Sequence, residues 1–149
     1  MSSRRLVIDT GIAVSALILS RSVPRQAFNA ARSWGQLLIS PATFNELEDV
    51  LCRPKLERFI TEQERVEFLD AYVLLAKAVA ITESITACRD PNDDKFLELA
   101  VSGQAECIIS GDADLLVLSP FRLSDADSAI DIVTPRAFLE DWLPSKSAS

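Results

Sequence analysis

Five short, mostly apolar runs alternate along this chain with longer stretches whose apolar residues recur at helical spacing. The runs cover residues 6–8, 37–39, 79–81, 107–109 and 130–133. Runs of this length are typical of short buried strands, and the stretches between them are long enough to cross from one strand to a parallel neighbour. The alternation therefore predicts an α/β fold, a three-layer α/β/α sandwich with a mainly parallel central sheet.

Local signals mark where several of the helices begin. A serine or threonine that can cap a helix precedes a proline of the first turn in three places, and a capping box opens a fourth helix. These positions are Ser22 with Pro24, Ser40 with Pro41, Thr134 with Pro135, and Thr61 with Glu64. Pro144 is expected to end the last helix. The stretch 41–77 lacks a strand-like run, and we expect it to form a helical hairpin protruding on one side.

The length of 149 residues fits a single domain, which we place at 1–144. The polar residues 145–149 are expected to form a disordered tail. No apolar run approaches the ~20 residues of a membrane span, and the first residues lack the apolar core of a secretory signal. We therefore expect a cytoplasmic protein with no membrane partner.

The composition excludes several kinds of catalysis. The chain has no histidine, and its three cysteines are far apart. Serine-histidine and cysteine-histidine catalysis and a zinc site of thiolates and imidazoles are therefore excluded. Carboxylates with a hard metal ion remain as the leading chemistry for an enzyme. The net charge of −7 argues, taken alone, against a nucleic-acid partner.

Acidic residues follow strand ends or open helices beside them at three places. These are Asp9, the pair Asp93 and Asp94, and the pair Asp112 and Asp114. The carboxyl ends of parallel strands share one edge of a sheet, where open α/β folds bind their ligands. Crowded carboxylates repel one another, and Mg²⁺ or Mn²⁺ removes that conflict. The implied chemistry is metal-assisted phosphodiester hydrolysis.

Glu46, early in the helix after the second strand, is a fourth candidate, and every candidate has a structural alternative. Asp9 could cap the following helix, and Asp112 could be an ordinary turn residue. The acidic pair at 93–94 suits a helix N-terminus without any function. Glu46, like Glu48, could be a solvated glutamate beside the apolar stripe. The case for a site depends on the joint placement of these residues.

Four segments of the sequence together resemble PIN-domain proteins, and most closely the toxins of toxin-antitoxin systems. The resemblance extends from about residue 6 to about residue 140. Its motifs are VIDT at 7–10, SP at 40–41 with NEL at 45–47 and VLCRPK at 50–55, RDPNDDKFLELA at 89–100, and IISGDADLL at 108–116.

The resemblance implies a metal-dependent endoribonuclease that uses Mg²⁺ or Mn²⁺. It also implies a homodimer and a cognate antitoxin protein that neutralises the enzyme. The catalytic residues that it implies are Asp9, Glu46, Asp94 and Asp112, with Asp9, Asp94 and Asp112 as metal ligands. The secondary candidates are Thr10 to orient Asp9 or a water, Asp93 in place of Asp94, Asp114 in an outer position, and Lys95 to meet a phosphate.

One residue departs from the family's pattern, because Gly11 stands where the family has asparagine. A catalytically weakened PIN-fold binding protein therefore remains an alternative. A small-molecule phosphatase is a second alternative, although the haloacid-dehalogenase type requires an aspartate where Gly11 stands. Two groups of basic residues could meet RNA or simply be solvated surface. They are Arg53, Lys55 and Arg58, and Arg21, Arg25 and Arg32.

Overall fold

The computed structural model describes residues 4–147, which fold around one parallel sheet. The strands are β1 (Arg5–Ile8), β2 (Gln36–Ile39), β3 (Lys77–Ala78), β4 (Cys107–Ile109) and β5 (Asp131–Val133). Their order is β3-β2-β1-β4-β5, and each neighbouring pair is parallel. The α/β fold class predicted from the alternation of elements is confirmed.

Helices cover both faces of the sheet. They are α1 (Thr10–Ile18), α2 (Val23–Trp34), α3 (Pro41–Leu51), α4 (Glu62–Leu75), α5 (Asp94–Ser102), α6 (Ala113–Leu116), α7 (Pro135–Ala137) and α8 (Leu143–Ser147). Short 3-10 turns lie at Pro54–Leu56 and Pro91–Asp93, and a π-helical turn at Phe138–Trp142 joins the last two helices. Within the described part of the chain, no helix is long and apolar enough to cross a membrane.

The three layers follow from the two-residue period of the strands. In β1, Leu6 and Ile8 pack on one face with residues of α1 to α4, whereas Val7 packs on the other face with residues of α5. The same division occurs in β4, where Ile108 lies on the α5 face. Both faces are therefore apolar, as expected for a parallel sheet covered on both sides.

The expected capping residues are observed. Ser22, Ser40, Thr61 and Thr134 each accept a hydrogen bond from a backbone N–H in the first turn of the following helix. At Thr61 the capping box is complete, because the Thr61 N–H also donates to Glu64 Oε1 at 2.8 Å. The local signals therefore located these helix starts correctly.

The region 41–77 differs from the predicted protruding hairpin. Leu47 and Leu51 of α3 and Leu69 and Tyr72 of α4 are buried in the core between helices and sheet. Both helices therefore form part of the helical layer. The third strand was expected at residues 79–81 but lies at Lys77–Ala78, because α4 ends at Leu75 and leaves the next residues to pair with β2.

The C-terminal region also differs from expectation. Pro144 does not end the last helix but is the second residue of α8, which follows the π-helical turn directly. Of the tail expected at 145–149, the chain through Ser147 is helical, and residues 148–149 lie outside the described residues. The prediction of a disordered tail stays a prediction.

Candidate active site

A cleft of about 680 Å³ opens at the carboxyl ends of β1 and β4. Here the sheet order reverses, since β1 continues to β2 on one side and pairs with β4 on the other. Open α/β sheets bind ligands at such switch points. Four carboxylates from distant parts of the chain line the cleft: Asp9, Glu46, Asp93 and Asp112.

Asp9, directly after β1, caps α1 and also accepts hydrogen bonds from the residues that follow β4. Its Oδ1 accepts a hydrogen bond from the Ile12 N–H at 2.9 Å, the helix-cap contact. Its Oδ2 accepts bonds from the Ser110 hydroxyl and from the Gly111 N–H, the latter at 3.3 Å. Burial raises the pKa of this carboxyl above its ordinary value, and the three hydrogen bonds oppose that rise.

Asp93, Asp112 and Asp114 form a compact cluster in which one carboxylate oxygen of each lies within 4.8 Å of the others. Asp93 Oδ2 is buried and has no hydrogen-bond partner. Burial and the nearby Asp112 carboxylate raise the pKa of Asp93 to about 7. Three acidic side chains this close are disfavoured when ionised, and a divalent cation would offset their repulsion. The oxygen-only donor set suits a hard ion such as Mg²⁺ or Mn²⁺.

Asp94 is directed elsewhere, although the resemblance assigned it as a metal ligand. Its Oδ1 accepts hydrogen bonds from the Cys88 N–H at 2.8 Å and the Ala87 N–H at 3.1 Å. Burial acts to raise the pKa of Asp94, but these bonds hold it below its ordinary value. Adjacent residues at a helix start point in different directions. The structure therefore brings Asp93 to the cleft and leaves Asp94 fastening the loop before α5.

Glu46 is fixed at both carboxylate oxygens. Oε1 accepts a hydrogen bond from the Thr10 hydroxyl at 2.5 Å, and Oε2 accepts one from Lys95 Nζ at 2.6 Å. Thr10, expected to orient Asp9 or a water, therefore contacts Glu46. Lys95, expected to meet a phosphate, is ion-paired with Glu46.

Two residues of the site were missed as functional candidates. Ser110 is fully buried; its hydroxyl donates to Asp9 and accepts the Asp112 N–H at 3.0 Å. Ser110 follows β4 directly, beside the end of β1, and this position could have identified it as a residue of the site. Arg89 Nε donates to Asp114 Oδ1 at 3.0 Å from an exposed position, and sequence spacing gave no indication of that pair.

This chain is similar in sequence to a known family and to another protein. A family model described as a PIN domain matches residues 5–114. The uncharacterized protein MJ1680 of Methanocaldococcus jannaschii is 26% identical over 144 residues, which span 93% of this chain and 91% of that protein.

A solved structure is similar in fold. It is the crystal structure of VapBC2 from Rickettsia felis bound to a DNA fragment from their promoter, with a TM-score of 0.57. The match covers 87% of this chain and 98% of the other, at 10% sequence identity. The family model covers most of the chain and includes β1, the α3 and α5 positions and β4, and so this chain belongs to the PIN domain family.

Proposed function

We propose that this protein is a metal-dependent endoribonuclease that hydrolyses RNA phosphodiester bonds. The observation that carries the proposal is the convergence of Asp9, Asp93, Asp112 and Glu46 in one cleft at the switch point of the sheet. PIN domains are generally nucleases, and family membership supports the same chemistry.

A divalent ion, Mg²⁺ or Mn²⁺, is the cofactor that we infer. Asp93, Asp112 and Asp114 would hold it, because their carboxylate oxygens lie within 4.8 Å of one another. Asp9 lines the same cleft and is the further ligand that the family resemblance implies. Asp93 Oδ2 supports this assignment, because a buried carboxylate oxygen without a partner is costly unless a ligand satisfies it. When bound, such an ion polarises a phosphoryl oxygen and makes a bound water more acidic.

The protein's own contribution is to hold the carboxylates in place. The Ile12 N–H and the Ser110 hydroxyl fix the two oxygens of Asp9 on opposite sides. Thr10 and Lys95 hold the Glu46 side chain in place at the wall of the cleft. From there Glu46 can orient a water or accept its proton, which is the role that we propose for it.

The test is RNA cleavage in Mn²⁺, compared with hydrolysis of 4-nitrophenyl phosphate. We expect the wild type to cleave RNA and spare the small ester, and Asp9→Asn to lose most of the RNA cleavage because it removes a carboxylate from the cleft. Glu48→Gln is the matched control, because Glu48 is an exposed carboxylate on the same helix as Glu46 and does not line the cleft. Hydrolysis of the ester without RNA cleavage would instead support the phosphatase alternative.

We propose further that the enzyme is the toxin of a toxin-antitoxin pair and acts in the cytoplasm. The similar fold of the Rickettsia felis VapBC2 complex supports an antitoxin partner, and the net charge of −7 suits a basic antitoxin segment lying across the cleft. Co-expression with the product of the neighbouring reading frame should give a complex on gel filtration that no longer cleaves RNA. Separate elution of the two proteins would contradict the proposal.

The proposed homodimer has a candidate surface on α4. Val66, Val73 and Leu74 lie on one side of that helix, and the Leu74 side chain is 87% exposed. Exposed apolar area of this kind is the type that dimers bury. Light scattering should give the mass of two chains for the wild type and of one chain for Leu74→Arg. A monomeric wild type would contradict the proposed dimer.

A further inference from the structure

The acidic cleft has a basic wall. Arg53 and Lys55 line the same cleft as Asp9, Asp93 and Asp112, and both side chains are exposed. Within residues 4–147 neither takes part in an ion pair. The other two cations near the carboxylates differ, because Lys95 is paired with Glu46 and Arg89 with Asp114.

The segment that carries these cations is anchored at both ends. Leu51 is buried before it and Ile60 after it, so that residues 52–59 form a short bridge across the surface. Pro54–Leu56 forms a 3-10 turn, and the Leu56 N–H donates to the Arg53 carbonyl at 3.0 Å. The two cations are therefore held at the edge of the cleft by an ordered backbone.

We propose that Arg53 and Lys55 bind phosphates of the RNA strand next to the bond that is cut. This inference rests on the proposed ribonuclease function and names how its substrate is held. In a protein with a net charge of −7, a polyanion needs a local cationic contact to approach a carboxylate cluster. Two unpaired cations on the wall of that same cleft supply the contact, and they leave the carboxylates free for the metal.

The test measures binding of a fluorescein-labelled single-stranded RNA of mixed sequence by anisotropy. Asp93→Asn serves as the background, because it is expected to stop cleavage and it reduces the negative charge of the cleft. Adding Arg53→Ala and Lys55→Ala should weaken RNA binding by about 10-fold or more at low salt. The slope of log K against log salt should fall by about 1.4, at ~0.7 for each phosphate contact to a single strand.

Two control proteins distinguish phosphate binding by Arg53 and Lys55 from the effect of losing any two positive charges and from damage to the local structure. Arg122→Ala with Lys77→Ala removes the same charge from exposed positions that do not line the cleft, and should leave affinity and salt slope nearly unchanged. Arg53→Lys with Lys55→Arg keeps both charges and should retain binding. The inference would be overturned if the first control lost as much RNA affinity as the variant with Arg53→Ala and Lys55→Ala. It would also be overturned if the salt slope of that variant were unchanged.

The outcome is distinguishable from failure of the proposed function. If the wild type cleaves RNA with Mn²⁺ but the variant with Arg53→Ala and Lys55→Ala binds RNA normally, the proposed role of the basic wall is refuted and the proposed nuclease function stands. RNA binding that depends on Arg53 and Lys55, in a protein that cleaves no RNA with Mn²⁺, would support the basic wall and refute the nuclease.

Discussion

Asp94→Ala is expected to destabilise the fold and to leave the metal site intact, the opposite of what a metal ligand would do. The variant removes an ionised acceptor from two backbone N–H groups, at 2.8 Å for Cys88 and 3.1 Å for Ala87. A hydrogen bond to a charged group contributes about 1.5–3 kcal/mol. Cys88 is buried, so its N–H loses the full contribution, whereas Ala87 is exposed and its N–H can be rehydrated. The expected loss is about 2–4 kcal/mol, or ~5–15 °C in the melting temperature.

The neighbouring substitution is the matched comparison. Asp93→Asn removes a carboxylate from the cluster of Asp93, Asp112 and Asp114, and should abolish Mn²⁺ binding without lowering stability. Both variants are measured by thermal unfolding in EDTA and by isothermal titration of Mn²⁺ well below their melting temperatures. Normal Mn²⁺ binding by Asp93→Asn, together with lost binding by a stable Asp94→Ala, would refute the assignment of the two residues.

Three further predictions follow from the site. Because the folded-state pKa of Asp93, about 7, lies above the ordinary 3.8, its contribution to stability is fully present below pH 3.8 and is lost as the pH rises through 7; urea unfolding of the metal-free protein should show this fall, and Asp93→Asn should reduce it to the part that the raised pKa of Asp9 contributes. Gly11→Asn should raise Mn²⁺-dependent RNA cleavage, because a Cβ there has room, with Asp9 Oδ1 at 3.8 Å, and the amide restores the polar group that the family has at this position; an unchanged rate would show that the missing amide does not limit activity. Ser110→Ala should cost about 2 kcal/mol in urea unfolding and weaken Mn²⁺ binding, because the buried Asp9 loses a donor and the Asp112 N–H loses its acceptor; unaltered stability would contradict that role.

Much of the fold could be predicted from local signals. Strand β4 was located to the residue, because a buried run ends there at a glycine-containing turn. The helix starts at Ser22, Ser40 and Thr61 follow from capping chemistry that needs only neighbouring residues. The family's fold and the convergence of Asp9 and Asp112 at one edge follow from parallel strands sharing an orientation.

What the sequence left undetermined depends on contacts between distant residues. Spacing cannot distinguish Asp93 from Asp94, because the choice depends on which side chain meets the backbone of Cys88. The placement of α3 and α4 against the sheet required knowing that Tyr72 is buried, which a helical period alone does not show. The bond between Thr10 and Glu46 joins residues 36 positions apart. The two roles considered for Asp9, helix cap and site residue, are compatible, because its carboxylate caps α1 and also lines the cleft.

The most direct test of the account is the rate of RNA cleavage as a function of Mn²⁺ concentration, in the wild type and in Asp93→Asn. We predict a rate that rises with Mn²⁺ to saturation in the wild type, is abolished by EDTA, and is lost in Asp93→Asn while Glu48→Gln behaves as the wild type. Cleavage that persists in EDTA, or that Asp93→Asn retains in full, would contradict a metal-dependent nuclease site in this cleft.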